Sequence, residues 1–89
     1  MIKCEVTIIN KLGLHARAAA KFVATASAFS SEIKAGKGQQ LIDGKSIMSV
    51  MMLAASKGTV LQLQFEGRDE QQAHDALITL INNYFDEGE

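Results

Sequence analysis

Ile2, Cys4, Val6 and Ile8 alternate with Lys3, Glu5 and Thr7. This period of two predicts a strand over 2–9 with one buried face, where Cys4 is an inert core residue. Ala19, Phe22, Val23 and Ala26 then recur at helical spacing and predict a helix over 16–28. After Ser30-Ser31 the pattern turns short and strand-like. A strand over 32–36 with Ile33 and Ala35 inward leads to a turn at Gly36-Lys37-Gly38, then a return over 40–42 that Asp43-Gly44 breaks. Ser46 reads as the N-cap of a short helix from Ile47 to about Ala54, closed by Ser56-Lys57-Gly58. Leu61, Leu63 and Phe65 alternate with Gln62, Gln64 and Glu66 in a second half-buried strand, which Gly67 ends. Asp69 and Gln72 form a D-x-x-Q capping box for a last helix whose apolar face is Ala73, Ala76, Leu77, Leu80, Ile81 and Tyr84. The acidic run Asp86-Glu87-Gly88-Glu89 would lie at that helix's negative end and is expected to fray. The order is β-α-β-β-α-β-α. Both long strands have one polar face, so the expected fold is α+β, an open-faced sandwich with helices on one side of the sheet.

Composition narrows the classes. A length of 89 residues, 47% hydrophobic and 21% charged, suits a single globular domain over 1–89. A formal net charge of −1 offers no basic surface for nucleic acid. No apolar run approaches the ~20 residues of a bilayer-spanning helix, and no export signal opens the chain. One cysteine permits neither an intrachain disulfide nor a four-thiolate zinc site, which fits a reducing cytoplasm. No metal or cofactor is expected. His15 and His74 lack Cys or carboxylate partners at ligand spacing, and the glycines lack the phosphate-loop pattern. His74 shares a polar helix face with Glu70, Gln71 and Asp75 and reads as solvated.

His15 differs in kind. It opens the first helix where every other helix start offers a conventional capping residue, and neither it nor Leu14 supplies a capping oxygen. Amides at that mouth, those of Ala16, Arg17 and Ala18 among them, and the positive end of the helix dipole together suit an anion. Arg17 adds a guanidinium fork matched to phosphate oxygens, and Gly13 lets the chain turn sharply to present the ring. A neutral imidazole there is a competent nucleophile for a phosphoryl group. The same residues are equally compatible with a histidine in an odd cap position beside a solvated arginine.

The stretch GKSIMSVMMLAASKG over 44–58 carries more apolar side chains than one face of a short helix buries. Met48 and Met52, at i and i+4, would then form part of an adaptable docking patch. A helix wedged deeply into the core is the alternative. Ser46 is either a cap alone or also a phosphorylation site, whose charge would alter binding of an acidic partner more than folding.

G-L-H-A-R-A-A at 13–19, K-S-I-M-S-V-M-M-L at 45–53 and A-S-K-G at 55–58 together resemble the histidine-containing phosphocarrier (HPr) family of the bacterial phosphoenolpyruvate-dependent phosphotransferase system. The resemblance spans essentially the whole chain. It implies a four-stranded antiparallel sheet covered on one face by three helices. It implies a monomeric cytoplasmic carrier rather than an enzyme. His15 would be phosphorylated on Nδ1 by phospho-enzyme I and would pass the group to a histidine of an enzyme IIA protein. Arg17 would pair with the phosphoryl group, and Ser46 would be the regulatory serine of an ATP-dependent HPr kinase. Ile47, Met48, Met51 and Met52 would form the docking surface, open also to transcriptional or metabolic regulators. The family commonly carries proline where this chain has Ala18, so the first helical turn regains a donor and loses a constraint. Positive charge near His15 would rest on Arg17, Lys21, Lys45 and Lys57. A nitrogen-branch regulatory carrier, or a module that binds regulators through the Met48/Met52 surface without using His15, are the other functions this sequence admits.

Overall fold

The two periodicities, two along the strands and 3.6 along the helices, produce the expected elements with shifted ends. The computed structural model describes residues 1–88; Glu89, the end of the acidic run, lies outside them. They form β1 (Ile2–Thr7), α1 (Ala16–Ser27), β2 (Glu32–Lys37), β3 (Gln40–Asp43), α2 (Ile47–Met52), β4 (Val60–Glu66) and α3 (Glu70–Asn82). A left-handed turn at Tyr84–Asp86 follows. The strands make one antiparallel sheet in the order β1-β4-β2-β3. Val6 lies opposite Leu61, Cys4 and Ala35 flank Leu63, and Ile33 lies opposite Phe65, which gathers the apolar rows onto one face. The helices cover that face, with α1 against α2 and α3, and α3 over β1 and β4. Phe22, Val50, Leu77 and Ile81 are buried between the layers. Cys4 is only partly buried, and that burial raises its thiol pKa, which keeps it protonated and unreactive near neutrality.

Several boundaries and contacts differ from expectation for identifiable reasons. β1 ends at Thr7, but Ile8 stays fully buried because its amide donates to Thr59 O at 2.9 Å and keeps the chain against the sheet. The hairpin turn is Gly38-Gln39, since Gly36 and Lys37 pair with Leu41 and Gln40; Gly38 takes the positive φ (+77°) that a two-residue turn needs. α2 ends at Met52, two residues before the expected end near Ala54. His74 is half-buried, stacked edge-on against Phe65 at 5.6 Å, and its Nδ1 lies 2.9 Å from Asp75 Oδ1.

The D-x-x-Q capping box does not form. Asp69 occupies the N-cap position but makes no cap hydrogen bond to α3. Its carboxylate accepts from the amides of Ser30 and Ser31, each at 2.9 Å, and from both serine hydroxyls. The α1–β2 connection is thereby clamped to the start of α3. Glu70 reaches back ahead of the helix, its Oε1 accepting from Gly67 N at 3.2 Å.

The C-terminal segment departs most. Tyr84, expected on the buried face of α3, is 39% exposed, and Phe85 is fully buried in its place. α3 stops at Asn82, and Tyr84, Phe85 and Asp86 all adopt left-handed backbone (φ +57°, +52° and +61°), which breaks the helical period by turning the next side chain inward. Asp86 and Glu87, expected to fray, are bonded through their backbone: Asp86 N donates to Asn83 O and Glu87 N to Tyr84 O, both at 2.9 Å. Lys21 Nζ donates to Phe85 O at 2.7 Å.

Two predictions follow from these contacts. Phe85→Ala should cost about 3–5 kcal/mol, the usual range for deleting a fully buried phenylalanine, read from the urea midpoint. The hydroxyl of Ser31 first, then the amide of Ser30, hold the Asp69 carboxyl at about 2. An unfolded aspartate titrates near ~3.9, so this contribution is present above about pH 4 and is lost as pH falls toward about 2. Asp69→Asn should flatten stability against pH in that window and lower stability at neutral pH, as urea unfolding across the acid range will report.

Candidate functional site

Residues 8–14 carry the chain from β1 to the mouth of α1, and their backbone is stitched to the segment after α2. Gly58 N donates to Ile8 O at 2.7 Å and Leu14 N to Ala55 O at 2.8 Å. Gly13 has φ +66°, and a Cβ there would stand 2.5 Å from Ala55 O, so the close approach requires glycine. Asn10 is fully buried and donates from Nδ2 to Gly13 O at 2.9 Å. Leu14 is buried, which leaves the next side chain, His15, at the helix mouth.

His15 is the N-cap of α1 in extended backbone (φ −73°, ψ 177°). The apparently missing cap is the imidazole itself: Nδ1 accepts from Arg17 N at 3.3 Å, at the long end of hydrogen-bond geometry. The first amide of α1 bonded back to the main chain is Ala19 N, at 2.8 Å from His15 O. Among the described residues the amides of Ala16 and Ala18 have no acceptor, so the mouth holds unspent donors beside Nδ1. Ala18 itself is fully buried, its methyl group turned into the core rather than toward the ring.

The charges around the ring are arranged differently from expectation. Arg17 is exposed, and its guanidinium has no ion-pair partner among the described residues. Lys21 and Lys45 give their ammonium groups to the carbonyls of Phe85 and Phe29, both at 2.7 Å. Lys57 lines a shallow cleft with Ile9, Lys11, Tyr84 and Gly88. Nearest to the ring is an anion. Glu87 places Oε2 at 2.8 Å and Oε1 at 3.1 Å from His15 Nε2, and the hydrogen bond from His15 is the main cause that holds its carboxyl below the usual glutamate range. His15 therefore does have a carboxylate partner, contrary to its sequence spacing. Asn10 Nδ2 also approaches Glu87 Oε1, at 3.5 Å. Sequence reasoning missed Glu87 and Asn10; the only available signals were a polar residue within an apolar stretch and an acidic tail.

Ser46 caps α2, its Oγ accepting from Ser49 N at 3.4 Å while its side chain stays half-exposed. Val50 alone of that helix is buried. Ile47 and Met51 are 40% exposed, Met48 67% and Met52 79%, so the helix lies on the surface and is not wedged into the core. Leu12, in the loop leading to His15, is likewise exposed and adds apolar surface that no periodicity marked. Among the described residues no cluster of three or more His, Cys, Asp or Glu could hold a metal ion, and no helix is long and apolar enough to cross a membrane.

The family model described as "PTS HPr component phosphorylation site" matches residues 2–83. The phosphocarrier protein HPr of Pseudomonas putida is 60% identical over 86 residues, 96% of each chain. Two crystal structures from Thermoanaerobacter tengcongensis, each 48% identical, resemble this one. HPr-C-His has a TM-score of 0.94 with 98% of each chain covered, and an HPr dimer has 0.77 with 96% of this chain and 98% of the other.

The role of Gly13 can be tested directly. Gly13→Ala should destabilise the chain by more than ~1 kcal/mol, because the side chain is incompatible with both the backbone angle and the neighbouring carbonyl. Chemical denaturation measures the loss, and the His15 ring resonances in a proton NMR spectrum should shift with it.

Proposed function

This chain belongs to the HPr family of phosphocarrier proteins of the phosphotransferase system, and from that premise we propose that His15 is its phosphoryl acceptor. Residues 1–89 would act as one carrier domain and protein substrate, not as an enzyme, needing no cofactor. The observation that carries this reading is the half-exposed imidazole at the mouth of α1, its Nδ1 facing Arg17 N with unspent amides at Ala16 and Ala18 beside it. In this reading Nδ1 attacks the phosphorus of phospho-enzyme I. The N–P bond of the donor breaks and its electron pair stays on the donor nitrogen. The helix-mouth amides and the exposed Arg17 guanidinium offer hydrogen bonds to the transferred oxygens, while the partner supplies most of the positioning. The reverse chemistry delivers the group to an enzyme IIA histidine.

The exposed face of Ile47, Met48, Met51 and Met52 supports docking of these partners and of regulators, since α2 packs directly against α1. Phosphorylation of Ser46 by an HPr kinase would add charge at the head of that face without undoing the fold, because its hydroxyl makes only a long cap bond. A carrier that docks on several partners in turn suits a monomer in the cytoplasm; a single membrane span or a nucleic-acid partner has no part in it.

Incubation with enzyme I and phosphoenolpyruvate, read by intact mass, should add one phosphoryl group to the wild-type chain and none to His15→Ala. An unmodified wild-type chain, or an undiminished signal in the variant, would contradict the reading. Ser46→Asp should slow the transfer by about tenfold or more, the effect of a charge at a docking surface, measured as the initial rate in the same assay.

A further inference from the structure

A neutral imidazole has one protonated and one free nitrogen, and the nitrogen that reacts is decided by what the other one bonds. In His15 both contacts are specific. Arg17 N can only donate, so the ring atom 3.3 Å away, Nδ1, presents its lone pair. An ionised carboxylate can only accept, so Nε2, at 2.8 and 3.1 Å from the two oxygens of Glu87, presents its proton. The two contacts agree, but they are unequal. The amide bond is at the long end of hydrogen-bond geometry, whereas the contact to Glu87 is short and charge-assisted.

Glu87 reaches the ring on folded backbone, not on a loose tail. Phe85 is fully buried, Lys21 Nζ holds the Phe85 carbonyl, and Glu87 N bonds to Tyr84 O at 2.9 Å. Three consecutive left-handed residues make this path, each of them costly outside glycine, and only firm anchoring maintains them. The carboxylate is therefore placed at a defined atom of His15 by the tertiary structure.

We infer that Glu87 is a positioning residue that commits the proton of His15 to Nε2 and so leaves Nδ1 as the nitrogen that receives the phosphoryl group. The inference rests on the acceptor role proposed above. When Nδ1 bonds to phosphorus, the ring keeps its Nε2 proton and gains positive charge. Glu87 faces that growing charge, so its attraction is stronger at the transition state than in the resting ring. Attack from Nδ1 proceeds on the side of the ring away from Glu87, and the carboxylate need not move.

Full-length chain labelled with ¹⁵N-histidine tests this without any phosphoryl donor. At alkaline pH, long-range ¹H–¹⁵N correlation should give His15 of the wild type as a single tautomer with Nε2 protonated. Glu87→Ala should give an exchange-averaged mixture of tautomers, and Glu87→Asp should restore part of the preference. In transfer from phospho-enzyme I, Glu87→Ala should lower kcat by about tenfold with KM unchanged, because an orienting contact is lost and no docking surface is. An unchanged tautomer, or an unchanged kcat, overturns the inference. A wild-type chain that accepts no phosphoryl group overturns instead the reading on which it rests.

Discussion

An α-helix cannot bond its own first amides, and the arrangement around His15 is built on that constraint. At α2 a serine oxygen meets it. At α1 the cap is a ring nitrogen at 3.3 Å, and among the described residues two neighbouring amides have no acceptor. A conventional cap would stabilise the helix by about 1 kcal/mol, so the chain forgoes a small local gain. In return the helix start keeps donors and a positive dipole end beside the His15 imidazole.

Holding this helix start in place falls to distant segments. The Leu14–Ala55 hydrogen bond and the close fit of Gly13 against that carbonyl tie the His15 loop to the end of α2. On the other side the left-handed turn at Tyr84–Asp86 plugs Phe85 into the core and brings Glu87 to Nε2. Both anchors are long-range in sequence. The site thus joins residues 8–15 to residues 84–87, and its electrostatics are mixed: helix-mouth amides on the Nδ1 side, a carboxylate on the Nε2 side.

Periodicity made most of the fold legible, because each long element has one buried face. Val6 with Leu61, and Leu63 with Ala35, stand where alternation put them, and Phe22 and Leu77 face inward at helical spacing. Readings failed where the deciding contact is distant or the period is interrupted. The Asp69 box looked local, but its carboxylate is taken by Ser30 and Ser31, about forty residues earlier in the chain. Tyr84 fits the 3.6-residue period, yet three positive φ angles turn Phe85 inward instead. His15 and Arg17 were legible as a chemical pair, and the exposed methionines of α2 as surplus apolar surface. Glu87 was not, because nothing local in an acidic tail says which atom it will meet.

Whether folding prepares one nitrogen of His15, Nδ1, to carry a phosphoryl group is best tested by heteronuclear NMR of the ¹⁵N-histidine-labelled chain after reaction with phospho-enzyme I. The expected result is phosphorus–nitrogen coupling to Nδ1 of His15, with the proton retained on Nε2. Coupling to Nε2, or to either nitrogen of His74, would contradict it.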